Sequence, residues 1–170
     1  MSTRYKGDSA EVSALNVFIN LFRAADTIEA QFGRRLRQDQ LTGPQFGVLE
    51  TLHHLGSLEQ HVLAKKLLVS RGNITFIVDK LEQMKLVMRV AGTEDRRCNR
   101  VSLTESGSEF ITRIFPNYAA FISNLIGVLD NEEQIVLAEL LKKLGKQNNQ
   151  QIESQDNLCD SNNNKGTICQ

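Results

Sequence analysis

Residues Leu58 to Ser102 read LEQHVLAKKLLVSRGNITFIVDKLEQMKLVMRVAGTEDRRCNRVS, and the order of the patterns inside this stretch decides the fold. From Gln60 to Leu67, the side chains of Leu63, Ala64 and Leu67 fall at i, i+1 and i+4, one buried stripe of a short helix. Leu68 and Val69 make a turn. Ser70 then stands at the N-cap of a second helix, its hydroxyl placed to accept a bond from a free amide of the first turn. That helix, from Arg71 to about Met84, buries Ile74, Ile77, Val78 and Leu81 at i, i+3, i+4 and i+7. Its outward face is therefore Gly72, Phe76, Asp79 and Gln83, with Asn73, Thr75 and Lys80 on the flanks. Gly72 costs roughly 1 kcal/mol relative to Ala inside a helix, which points to close approach of a partner to the backbone there.

A strand follows from Leu86 to Ala91, an exposed loop from Gly92 to Asn99 and a returning strand from Arg100 to Leu103, where Val101 and Leu103 alternate with Arg100 and Ser102. The loop holds Arg96 and Arg97, with Arg100 just beyond. Two helices joined by a tight turn and followed by a cationic hairpin predict a winged helix-turn-helix, a module that places its second helix in the major groove of DNA. Charge agrees: the chain's Lys and Arg balance its Asp and Glu overall, but residues 59–100 hold nine basic residues against five acidic ones, a local +4. Such a patch serves phosphate contacts, whereas a zero total would not suggest them.

The 170 residues, 41% of them hydrophobic, suit a single domain of ordinary size. No window reaches the ~20 apolar residues of a membrane span, and the first residues carry no apolar signal segment, so a cytoplasmic protein without membrane contact is expected. Cys98, Cys159 and Cys169 lack metal-ligand or disulfide spacing; no metal and no cofactor is expected. No nucleophile elbow, phosphate-binding glycine loop or zinc-protease motif is present, which leaves an enzyme reading without support.

On either side of the module lie helical patterns with more apolar surface than one winged domain can cover. Ser9 to Gln38 carries Leu15, Phe18, Phe22, Ala25, Phe32 and Leu36 at spacings of three and four, with Ile28 filling the gap. Gly43-Pro44 opens a helix through about His54, with Phe46, Leu49 and Leu52 inward and Gly56 as its C-cap. Thr104 caps a long helix with Phe110, Ile111, Ile114, Phe115, Phe121, Ile122 and Leu125. Asp130 and Glu133 form a capping-box pair before a last helix with Ile135, Val136, Leu140, Leu141 and Leu144. The expected organisation is an N-terminal dimerisation helix over 1–40, a winged helix-turn-helix over 41–104, C-terminal dimerisation helices over 105–145, and a disordered tail over 146–170. Eleven of the 24 tail residues from Gln147 are Asn or Gln, too few apolar groups to order the segment. Excess apolar surface on the first and last helices predicts a homodimer.

These residues resemble the MarR family of transcription regulators. The resemblance runs from about Val12 to Gly145 and rests on Leu41-Thr42 with Phe46-Gly47-Val48-Leu49, on Leu63-Ala64-Lys65-Lys66-Leu67, and on Val69-Ser70-Arg71-Gly72-Asn73-Ile74-Thr75 with Val78-Asp79-Lys80-Leu81-Glu82. Its most specific part is Glu94-Asp95-Arg96-Arg97 followed by Val101-Ser102-Leu103-Thr104-Glu105-Ser106-Gly107. It implies a mainly helical dimer with a small β wing that presents two recognition helices to successive major grooves of a pseudo-palindrome, usually as a repressor. It also implies that Arg97 enters the minor groove with Asp95 holding its guanidinium. A further implication is a cleft between the dimer helices and the winged domain where small aromatic or phenolic acids bind and release the DNA; Phe18, Phe22 and His53 are candidates to line it.

From the residues themselves, Ser70, Arg71, Asn73, Thr75 and Lys80 are the candidates for base edges and phosphates, with Arg71 better placed for phosphate than for guanine. The chain departs from the family at two places. Phe76 occupies a position where many relatives carry a polar or basic residue; it either packs on a neighbouring segment or meets a thymine methyl. Leu68 replaces the usual glycine of the turn. Two other readings accompany the main one. Cys98, flanked by Arg96, Arg97 and Arg100, is a candidate redox sensor because the guanidiniums favour its thiolate. A winged domain that binds only protein is the other, although the arginine-rich loop has no purpose in it.

Overall fold

The computed structural model describes residues 3–91 and 99–145. Asp95, Arg96, Arg97 and Cys98, and the expected disordered tail, lie outside them. The elements, in chain order, are α1 (Ser9–Leu36), a 3-10 turn (Arg37–Asp39), α2 (Gly43–Leu55), β1 (Leu58–Glu59), α3 (Gln60–Leu67), α4 (Arg71–Gln83), β2 (Val87–Ala91), β3 (Asn99–Leu103) and α5 (Glu105–Ile126). Residues 131–145 form a further helix, α6. The chain divides at Ile122 and Ser123 into two compact units.

Apart from α3, whose N-cap Glu59 makes no side-chain bond to the helix, each α-helix starts where a side chain satisfies a free amide. Asp8 accepts from the backbone N–H of Ala10 and Glu11, both at 2.8 Å, while the Glu11 carboxylate accepts from Asp8 N–H, a complete capping box ahead of α1. Thr42 and Gln45 make the same reciprocal pair at α2, with Pro44 in the first turn where a missing N–H costs nothing. Ser70 Oγ accepts from Asn73 N–H at 3.2 Å, as its position before the helix requires. Asp130 and Glu133 exchange bonds of 2.9 Å at the start of α6.

The periodicities place the core of the first unit. Ile74, Ile77, Val78 and Leu81 of α4 are buried against Leu49 and Leu52 of α2, Leu63 and Ala64 of α3, Val87 and Val101 of the sheet, and Ile111 of α5. Leu36 and Phe32 bring the end of α1 to this core. Phe32, Phe46 and Tyr118 stack edge to face or tilted, with ring centres 4.8 to 5.8 Å apart, joining α1, α2 and α5. The buried Tyr118 hydroxyl donates to the Asp39 carboxylate at 2.7 Å, and Arg35, itself 3.2 Å from Asp39, lies over the Tyr118 ring.

The sheet has three strands, not the two of the expected hairpin. β3 lies in the centre, antiparallel to β2 (Val87 opposite Leu103) and to the two-residue β1 (Leu58 opposite Val101). A strand that short carries no period, so only its partner reveals it.

The junction between α4 and α5 explains the Thr104 to Gly107 motif. Lys85 takes a left-handed conformation, φ 59°, and turns the chain into β2. Its carbonyl accepts from the hydroxyls of Thr104, at 2.7 Å, and Ser106, at 2.9 Å. Thr104 N–H donates to Leu86 O, and Thr104 Oγ1 accepts from Gly107 N–H at 2.9 Å, capping α5. Gly107 packs so closely on Leu86 that a Cβ there would overlap the Leu86 carbonyl. The glycine is required by that approach, because backbone cannot yield as a flexible side chain can.

Candidate nucleic-acid interface

Helix α4 lies with its apolar stripe, Ile74, Ile77, Val78 and Leu81, in the core of the first unit and its opposite side exposed. Ser70, Arg71, Gly72, Asn73, Thr75, Phe76 and Lys80 are all exposed, so the structure brings the predicted reading residues of this helix together on one face. Two of them are already oriented. Thr75 Oγ1 donates to the carbonyl of Arg71 at 2.9 Å and accepts from Gln60 Nε2 at 2.7 Å, which ties the exposed side of α4 to the start of α3. Lys80 Nζ lies 3.3 Å from Gln83 Oε1 and 5.6 Å from the centre of the Phe76 ring.

Arg100, on β3, turns its guanidinium to the residue before β1: Nη2 donates to Ser57 O at 2.5 Å, and Nε lies 3.4 Å from Ser57 Oγ. It braces the β1 edge, a role the sequence reading did not assign. Asp95, Arg96 and Arg97 fall outside the described residues, as does Cys98.

The residue that sequence reasoning missed is Arg89. It alternates inward on β2 and binds both carboxylates of α4: Nη2 donates to Asp79 Oδ1 at 2.6 Å, and Nη1 bonds to Glu82 Oε2. Its backbone N–H donates to Glu82 Oε1 at 2.9 Å, and its Nε approaches Gln60 Oε1 at 3.4 Å. Asp79 and Glu82 are the only acids of α4. One guanidinium therefore pairs with both carboxylates of α4 and ties the helix to the hairpin and to α3. A signal was present: an arginine at an inward strand position, facing two carboxylates three residues apart on the adjoining helix, has few other places to go. Asp79, assigned to the outward face by its angle, is half-buried on this guanidinium.

The turn between α3 and α4 is closed by Leu68 in a left-handed conformation, φ 53° and ψ 38°, with its side chain 74% exposed. Its N–H and that of Val69 cap the carbonyls of Lys65 and Ala64, the geometry glycine usually supplies at a helix C-terminus.

Of the three candidates for an effector cleft, Phe18 and Phe22 meet, their ring centres 4.4 Å apart on the exposed part of α1. Phe18 also lines a depression of about 500 Å³ with Tyr5, Glu11, Ala14 and Leu15. His53 lies elsewhere, its ring 5.1 Å from His54 and 6.1 Å from Phe115. Within one chain the structure thus joins two of the three and not the third. Among the described residues there is no cluster of metal-ligating side chains, and no helix is long and apolar enough to cross a membrane.

The model of the MarR family matches residues 41–99, the span from α2 to the start of β3. The HTH-type transcriptional regulator MhqR of Bacillus subtilis is 38% identical over 132 residues, covering 78% of this chain and 91% of that protein. The chain belongs to the MarR family. As a MarR-family protein it is a DNA-binding transcription regulator with a winged-helix fold. Solved structures agree. BpsR of Bordetella bronchiseptica, whose DNA binding is regulated by 6-hydroxynicotinic acid, has a TM-score of 0.69 and 25% identity over 76% of this chain and 98% of its own. NadR in complex with 4-hydroxyphenylacetate has a TM-score of 0.67 and 27% identity over 86% and 99%.

Proposed function

We propose that this MarR-family regulator is a repressor that binds a pseudo-palindromic operator as a homodimer and is released by a small aromatic acid, phenolic acids included. The observation that carries the reading is the outward face of α4, polar, cleared of unpaired carboxylate by Arg89 and flanked by the β2–β3 hairpin. Asn73 and Thr75 are the base-reading residues; Ser70, Arg71 and Lys80 serve the phosphates that set register. On the wing, Arg97 enters the minor groove with Asp95 beside it and Arg96 adds charge along the backbone, while Arg100 holds the β1 edge through Ser57. The dimer is supported by Val17, Phe18, Phe22 and Ile28 exposed on α1 and by Ile135, Val136, Leu137 and Leu140 exposed on α6. The effector class is supported by the acids bound by NadR and acting on BpsR, and by the Phe18 depression, whose size suits a small ligand.

Fluorescence anisotropy on a duplex selected from random DNA tests the reading. Affinity should fall steeply with salt; Arg97→Ala should weaken every duplex and flatten that slope by about one ion. Asn73→Ala or Thr75→Ala should instead change base preference, each at a cost of about 1–3 kcal/mol on the preferred site. Addition of 4-hydroxyphenylacetate or 6-hydroxynicotinate should lower affinity if the effector class is right. Binding indifferent to salt would remove the operator model.

A further inference from the structure

Phe76 is the largest side chain on the outward face of α4, and it is 62% exposed. Of the two alternatives open from sequence, packing on a neighbouring segment is disfavoured: Phe76 is neither in the buried core nor among the partly buried side chains packed on it, and the Lys80 ammonium, one helical turn on, lies 5.6 Å from its ring centre. Its direction is set by the buried stripe. At 100° per residue, Phe76 points almost diametrically away from Ile74, Ile77, Val78 and Leu81, out along the line by which α4 would enter a groove. One turn back on the same face is Gly72, where an added Cβ would meet no protein atom within 4 Å. The protein itself does not need a glycine there. A small residue below a large apolar one, on a face otherwise made of Asn73, Thr75 and Lys80, is a shape that admits the wall of a groove at Gly72 and reaches its floor at Phe76.

We propose that Phe76 is a specificity-determining residue that packs on the 5-methyl group of a thymine in the major groove, so that each half-site carries a thymine read by apolar contact. The inference rests on the assignment of α4 as the recognition helix. The thymine methyl is the apolar feature that the major groove presents, and Phe is among the side chains that meet it. Asn73 and Lys80, beside Phe76 on the face, place amide and ammonium donors next to the ring, suited to acceptors on neighbouring bases or to a phosphate. The contact selects against cytosine, which lacks the methyl, without any hydrogen bond to the base.

The test removes only that methyl. In a duplex selected by the full-length protein from random DNA, each thymine is replaced in turn by deoxyuridine, and affinity is measured for the parent and for Phe76→Ala. The expected result is one position per half-site at which the replacement weakens the parent about fourfold, the cost of unburying one methyl-sized group. Phe76→Ala should bind the thymine and deoxyuridine duplexes equally. Phe76→Leu, which keeps an apolar tip, should retain part of the discrimination and guards against a variant that merely misfolds. A flat scan with the parent, or undiminished methyl sensitivity in Phe76→Ala, overturns the proposal while leaving DNA binding intact. Failure of the parent to bind any duplex in a salt-sensitive way overturns the recognition-helix assignment, and the proposal with it.

Discussion

Tyr118 shows how much a single side chain can tie together. Its ring fills the space between Phe32 and Phe46, and its hydroxyl reaches Asp39, 79 residues away in sequence. Burial raises its pKa well above the ordinary tyrosine value, the bond to Asp39 and the charge of that carboxylate raise it further, and Arg35 opposes them. The phenol is neutral in both folded and unfolded chains at neutral pH. Above about pH 10 the unfolded chain ionises first, so a stabilisation fully present below that pH is lost as pH rises toward the folded value. Urea denaturation at pH 7 should find Tyr118→Phe about 1 kcal/mol less stable, from the lost hydrogen bond. Across pH 9 to 11 the parent should lose stability faster than the variant. Parallel decline in the two proteins would show that Tyr118 does not couple to pH.

Among the elements, the α3–α4 turn and the α4–β2 contact determine how α4 is presented. Leu68 holds a left-handed conformation that costs a non-glycine residue roughly 1–2 kcal/mol, and its exposed side chain recovers little of that by burial. Leu68→Gly relieves the strain but adds about 0.4–1 kcal/mol of unfolded-chain entropy. The net expectation is a gain of roughly 0.5–1 kcal/mol, read as an increase in urea midpoint at unchanged slope. A loss of stability would mean that Leu68 packs on something in solution. Arg89 works in the other direction. Arg89→Met keeps an unbranched apolar stem but leaves Asp79 and Glu82 without their guanidinium partner on the helix proposed to enter the groove. Because these ion pairs are partly exposed, folding stability should fall by only about 1 kcal/mol. Operator affinity should fall by about tenfold, since the two freed carboxylates repel phosphate, and Arg89→Met with Asp79→Asn should recover part of it. Unchanged affinity in Arg89→Met would show that the guanidinium braces the fold and does nothing for DNA binding.

At the scale of the whole molecule, the proposed homodimer rests on the exposed apolar side chains of α1 and of α6. Burying each large one stabilises an interface by roughly 1.5–3 kcal/mol. Sedimentation of the parent at micromolar concentration should give a dimer, and the pair Phe18→Asp with Phe22→Asp should shift it toward monomer while the winged unit keeps its far-ultraviolet helix signal. A monomeric parent would remove the dimer. Such a result would also detach the operator from two-fold symmetry.

What the sequence determined by itself was everything carried by neighbours on one element. The stripe Ile74, Ile77, Val78 and Leu81, the caps at Ser70 and Asp130, and the alternation of Val101 and Leu103 are local, because helix and strand periods act over a few residues. They sufficed for the winged helix-turn-helix and for the outward face of α4. Tertiary structure alone decided the rest. β1 exists only because β3 lies beside it. Gln60 reaches Arg89 across 29 residues, and Asp79, at an outward position of α4, pairs with that same guanidinium. The requirement for Gly107 comes from Leu86, on the far side of the hairpin. The physical reason is common to all four: each depends on groups that approach only after distant segments pack, and no periodicity in the chain encodes which of several compatible partners will be nearest.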